Sequence, residues 1–273
     1  MKVRLLIVIL LIVSCKKSPS IADISTLDEI SYEEMLQQAS SNTLIVRDDV
    51  VYIDENNNVL SNEEKESRNE DLMYAKWLVN EQNELVMVQL QSRENALKWL
   101  SDRPVIKDNS QIDCNKLDML LERIYRRDQE NRSSQAILPK VDSLNLVAIE
   151  AVIDKCGMPT IENSGEMGPS AVWLVIQHAS ADKRKKYFPM LLEASKKGDL
   201  DRQDIALMQD RMLMDAGKPQ LYGSQVTVDE SGEYVLYDLR DPETVDQRRA
   251  VMNLMPLKEY LNFFEIEFNV PQK

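Results

Sequence analysis

RQDIALMQDRMLMDAGKPQLYGSQVTV, residues 202–228, changes its period part-way along, and that change decides the fold class. Ile205 to Met208 and Met212 to Met214 recur at helical spacing. Gly217 ends the pattern, and Pro219 prevents its continuation. Gly223 permits an unusual backbone angle, and from Gln225 the alternation of a strand begins. A helix yielding to a strand at a sharp corner, with more helical patterns before it, predicts an α+β protein.

Past the corner, QVTVDES-GEYVLYDL reads as two alternating runs around Ser231-Gly232. Asp241-Pro242 opens a final helical stretch. Upstream, NKLDMLLERIYRRDQENR carries Leu117, Leu120, Leu121 and Ile124 at helical spacing. SLNLVAIEAVIDKCG stops at Gly157 with Pro159 soon after. Pro169 suits the first turn of PSAVWLVIQHAS, which is apolar on nearly all sides and is therefore expected at the centre. KKYFPMLLEASKKG follows it. The basic run Lys183-Arg184-Lys185-Lys186 reads as a solvated face. Residues 113–268 are thus expected to form a mainly helical domain with one β-hairpin.

Residues 41–110 read as a small α+β module of β-hairpins and short helices. TLIVR and VVYID flank Asp48-Asp49, read as a hairpin turn, and a second hairpin surrounds Asn80 to Asn83. Ser61-x-x-Glu64 has the form of a capping box, and RENALKWL closes the module as a short helix. Asp54, Asn56 and Asn58 mimic the start of a calcium loop. Val59 and Lys65 stand where that loop needs glycine and glutamate, so the stretch is read as a turn.

At the start, Lys2 and Arg4 precede nine apolar residues, Leu5 to Val13. Nine residues suit a secretory signal rather than a membrane-spanning helix, which takes about 20. Ile12-Val13-Ser14-Cys15 resembles the lipobox of bacterial lipoproteins. The resemblance implies removal of residues 1–14, lipid on Cys15 and a polar tether over 15–40. Lys16, where aspartate would favour the inner membrane, points to the outer membrane. The expected place is the bacterial cell envelope, lipid-anchored.

The chain of 273 residues has 33 basic and 46 acidic side chains, a net charge of −13. Loss of Lys2 and Arg4 makes the mature chain two charges more acidic. That balance excludes a nucleic-acid partner, which calls for a basic face. Cys114 and Cys156 could form a disulfide in an oxidising envelope or remain buried thiols. The helical patterns around each favour thiols.

Several polar residues stand out. Asp128-Gln129 with Arg132 is followed by Asp142 and Asn145, then Gly157 and Pro159, then Gln177-His178. Asp210-Arg211 comes next, then Gln220-x-Tyr222-Gly223-Ser224-Gln225, then Asp246 with Arg248-Arg249. This pattern resembles an uncharacterised bacterial domain family found in lipoproteins and cytosolic proteins alike, over roughly residues 113–266. Ser224 replaces the usual threonine, Asn253 the usual glycine, and Cys156 a position often aromatic or histidine. The resemblance implies a shared fold and supplies no reaction.

His178 is the only histidine, which excludes a two-histidine zinc site, and no metal or cofactor is expected. At a helix end it could cap the last carbonyls, or act as general acid/base. Asp210 and Arg211 lie near apolar residues of their helix, where charge is costly unless paired. With them, Gln177, Gln220, Tyr222 and Gln225 could line a polar cleft. Three roles remain open. The first is binding of a ligand or envelope partner. The second is an enzyme with His178 as acid/base and with Arg211, oriented by the Asp210 carboxylate, holding an anionic group. The third is a purely structural component.

Overall fold

The computed structural model describes residues 24–68, 72, 74–106, 108–133 and 137–273. The expected signal peptide and Cys15 lie outside the described residues. The chain divides into two compact units, one ending at Ser92 and one running from Arg93 to Lys273. The fold is α+β: a small sheet comes first and a helical region with a two-stranded hairpin follows.

The first unit contains β1 (Asp28–Ile30), α1 (Tyr32–Ser40), β2 (Ile45–Ile53), α2 (Asn62–Ser67), β3 (Lys76–Val79) and β4 (Glu84–Gln89). The strand order is β1-β3-β4-β2. Alternation along β3 sends Trp77 and Val79 to one buried cluster and Leu78 to another. The β3–β4 hairpin forms as its turn residues predict, with Asn83 at a positive φ of 59°.

Two expectations fail here. Asp48-Asp49 make no hairpin turn, and residues 45–53 form one strand pairing in parallel with β4. Neither aspartate adopts the positive φ that a tight turn needs, and the ladder instead shifts register between Val46 and Val51. The supposed tether is ordered from Ile24 onward. Ser31 and Glu34 close a capping box that starts α1, and β1 pairs with β3, burying Ile30. The Ser61–Glu64 box starts α2 as predicted. The calcium-like loop is a turn in which Asp54 accepts the Asn56 and Asn58 amides at 2.8 Å each.

The second unit contains α3 (Arg93–Leu100), α4 (Asp118–Ser133), α5 (Pro139–Cys156), α6 (Ile161–Ser164), α7 (Met167–His178), α8 (Ala181–Lys197) and α9 (Arg202–Asp215). It ends with β5 (Val226–Val228), β6 (Tyr234–Leu236), α10 (Val245–Val251) and α11 (Leu257–Asn262). As expected, α7 is central: Ala171, Val172, Val175 and Ile176 are buried in a core shared with α4, α5, α8 and α9. A second cluster, Val245, Leu257 and Leu261, sits beneath the β5–β6 hairpin.

Cys114 and Cys156 are joined, which corrects the thiol expectation. Cys114 precedes α4 and Cys156 is the last residue of α5. The helical hairpin therefore brings them together at its open end, with a Cα–Cα distance of 5.4 Å. Helical surroundings argued against a bridge only while the pairing of α4 with α5 was unknown. No described helix is long and apolar enough to cross a membrane.

Candidate functional site

The expected site residues separate into two groups. Asp210, Gln220, Tyr222 and Gln225 meet at the corner that follows α9. Asp210 is fully buried. Its carboxylate accepts the backbone N–H of Leu221 at 2.7 Å, of Tyr222 at 3.1 Å and of Ser224 at 3.0 Å, and the Ser224 hydroxyl at 2.9 Å. Gln220, also fully buried, donates to the carbonyls of Gln225 and Tyr237 and accepts the Gln225 amide. The Tyr222 phenol bonds Gln209, and burial raises its pKa.

Later residues lock the same corner from behind. Arg249, 1% exposed, donates to the carbonyls of Tyr222 and Met255 at 2.6 Å each, and Arg248 donates to that of Leu221 at 2.7 Å. The Tyr260 hydroxyl donates to the Ser224 carbonyl. These bonds account for Asp210 and Gln220 as supports for buried backbone, whereas the Tyr222 and Gln225 side chains meet Gln209, Ser224 and Arg211. Arg211 is different. It lies 44% exposed on the outer side of α9, 3.5 Å from the Gln225 amide oxygen and 3.9 Å from Asp215. It is no charge set in an apolar face.

His178 belongs to the second group, at the seam of α4, α5 and α7. Its Nδ1 lies 3.1 Å from Asp128 Oδ1, 3.0 Å from Oδ2 and 3.1 Å from Arg132 Nε. Arg132 in turn meets Asp142 at 2.7 Å, and Asn131 donates to the same carboxylate at 2.9 Å. Asp128 is only 1% exposed, whereas His178 is about a quarter exposed.

One nitrogen cannot both donate to Asp128 and accept from Arg132, so the two contacts exclude each other. A lone pair turned on a buried carboxylate is unfavourable, and the proton therefore sits on Nδ1 and points at Asp128. That leaves the Nε2 lone pair without a partner among the described residues and in reach of solvent.

The capping role considered for His178 is taken by another residue. Arg184, from the run read as a solvated face, is 6% exposed. Its guanidinium bonds the Gln177 and Ala179 carbonyls at the end of α7 and is held by Asp215 at 2.6 Å. The α7 terminus is satisfied without the imidazole. Gln177 contributes that carbonyl, while its side-chain Oε1 is buried without a hydrogen bond.

Asp128, Asn131 and Asn145 were legible as oddities of pattern. Leu117, Leu121, Ile124, Asp128 and Asn131 follow one another at spacings of four and three, so two polar residues continue an apolar stripe. Asn145 does the same on α5 between Val141 and Ala148. Arg184 gave no comparable signal, because its neighbours are lysines. Among the described residues, no three of His, Cys, Asp and Glu are placed to hold a metal ion.

Comparison with known proteins adds one finding. A family described as "Family of unknown function (DUF6624)" matches residues 127–273, just over half the chain. The chain belongs to this family. The DUF6624 segment begins at Arg127, beside Asp128, and takes in both the His178 group and the corner. Cys114 falls outside it, so the disulfide ties the DUF6624 segment to the residues ahead of it. No curated protein and no solved structure matches the chain.

Proposed function

We propose that this DUF6624 protein is exported and held in the bacterial envelope by lipid on Cys15, at the outer membrane. Its C-terminal domain binds a ligand at the Asp128–Arg132–His178 group rather than at the corner. Support for export comes from the Leu5–Val13 run with its lipobox-like end, and from a disulfide that an oxidising compartment would maintain.

The observation that carries the binding role is the buried Asp128 holding a half-buried imidazole whose outer nitrogen is free. A cluster serving only to cap α7 would be redundant beside Arg184. Metabolic labelling with an alkyne palmitate tests the anchor: the wild type takes up label and C15A does not. Label on C15A, or a cytosolic wild type, overturns it. A thermal-shift screen of envelope-derived small molecules tests the site. A hit that stabilises the wild type and not H178Q supports the reading, and one indifferent to H178Q defeats it.

The Asp128–His178 geometry also favours a second reading, in which His178 is a general acid/base oriented by the carboxylate. Arg132, not Arg211, is then the guanidinium beside the imidazole. Turnover with a histidine-like pH profile, lost in H178Q while binding persists, would distinguish this enzyme from a binding protein.

A further inference from the structure

The turn ahead of α10 holds a strained peptide bond, the one between Asp241 and Pro242. Asp241 has φ 41° and ψ 65°, in the left-handed region that a residue with a Cβ disfavours. A proline also pushes the residue before it toward extended backbone, so Asp241 is strained twice over. Among the described residues it is the only aspartate with a positive φ. An aspartate in this place usually accepts an N–H of the following turn, but the Asp241 side chain makes no such bond. It is exposed to solvent instead.

The carbonyl of the same residue is the opposite case. Its oxygen accepts three donors at 3.1 Å each: the Thr244 N–H, the Thr244 hydroxyl and Arg248 Nη2. Arg248 Nη1 donates to that hydroxyl at 2.7 Å, so the guanidinium polarises the carbonyl both directly and through Thr244. Arg248 is itself fixed by the carbonyls of Leu221 at 2.7 Å and Arg240 at 2.6 Å. The N–H alone would serve to start the turn. Adding a hydroxyl and a charged donor provides what a carbonyl needs when its oxygen takes up negative charge. Strain, an uncommitted carboxyl and a polarised carbonyl thus meet at one bond.

We propose that the chain cleaves itself between Asp241 and Pro242. The Asp241 carboxyl attacks its own main-chain carbonyl carbon, which the covalent structure already holds within reach. A bond forms from the carboxyl oxygen to that carbon, while Arg248 and Thr244 hold the charge on the carbonyl oxygen. The C–N bond to Pro242 then breaks, and the carboxyl proton passes to the proline nitrogen. Water opens the cyclic anhydride, leaving Asp241 with two free carboxyl groups and Pro242 as a new amino terminus. One water is consumed for the one bond cut, and nothing is oxidised or reduced. No ligand has to enter the fold, because every reacting group except water belongs to one exposed dipeptide. Residues 242–273 stay docked after the cut, since Arg249 holds the Tyr222 carbonyl and Leu257 and Leu261 remain in their cluster.

The purified full chain is incubated in a mildly acidic buffer that keeps it folded, and in the same buffer with denaturing urea. Fragments are then read by mass spectrometry under denaturing conditions. A cut between Asp241 and Pro242 is expected, roughly 10²-fold faster in the folded chain, the effect of one well-placed donor on an oxyanion. T244V and R248K are expected to slow the folded chain toward the unfolded rate and to leave the unfolded rate alone. D241G accepts the positive φ without strain and is expected to give no cut. A folded chain that stays whole, or that is cut no faster than the unfolded one, overturns the proposal. A cut at the same bond in D241G also overturns it, by showing that the carboxyl is not the nucleophile. So does cleavage at the wild-type rate in whichever of T244V and R248K keeps the wild-type circular dichroism.

Discussion

At the scale of single residues, the cost of burying charge is clearest at Asp204. Burial, and then the nearby Asp201, push its carboxyl up to about 7. The folded chain therefore keeps a proton that the unfolded chain loses near pH 4. Between about pH 4 and pH 7 stability falls as pH rises, and above that window the loss is complete. D204N is expected to stabilise the chain at pH 8, by up to about 4 kcal/mol and with a higher melting temperature, and to have little effect near pH 4. Thermal denaturation at the two pH values checks both the sign and the window. Gly223 has a φ of 71°, and a Cβ there would lie 2.7 Å from Leu257 Cδ1 in a packed cluster. G223A is expected to cost about 1–3 kcal/mol in chemical denaturation, from backbone strain and overpacking together. Gly223 was legible in the sequence as a corner glycine, but Leu257 as its neighbour was not. That contact joins residues far apart in the chain.

At the scale of elements, periodicity and capping signals found most helices and the β3–β4 and β5–β6 hairpins, because each depends on residues within a few positions of one another. They missed the continuity of β2, which is held by parallel pairing to β4 across a long crossover. They also missed what terminates α7. R184M removes the guanidinium from two carbonyls and leaves Asp215 only the more distant, exposed Arg211. It is expected to cost about 2–4 kcal/mol by denaturant titration. Hydrogen exchange should rise first at the end of α7, with the core of α4 still protected. The corner after α9 shows the opposite case. Its glutamines were candidates for lining a site, yet Gln220 bonds the turn's own backbone and Gln225 reaches Ser224 and Arg211 beside it. The same residue types serve either purpose, and only the partners distinguish them.

At the scale of the whole molecule, the disulfide connects fold and compartment. It closes a loop of 42 residues at the open end of the α4–α5 hairpin. Chain-entropy arguments put its contribution at about 4 kcal/mol. Protein matured in an oxidising compartment is expected to give a linked Cys114–Cys156 peptide in a non-reducing digest. The C114S/C156S chain should unfold at lower denaturant by about that amount, and equal midpoints would contradict the prediction. The sequence by itself determined the α+β class, the order and type of most elements, the sharp corner after α9 and the identity of the odd polar residues. These follow from local period, glycine and proline geometry, and side chains that cap nearby backbone. The tertiary structure alone decided which residues are neighbours. It set His178 beside Asp128 rather than Asp210 and joined the two cysteines. Those pairings arise from packing three helices around a shared core, where contact depends on register and burial rather than on separation along the chain.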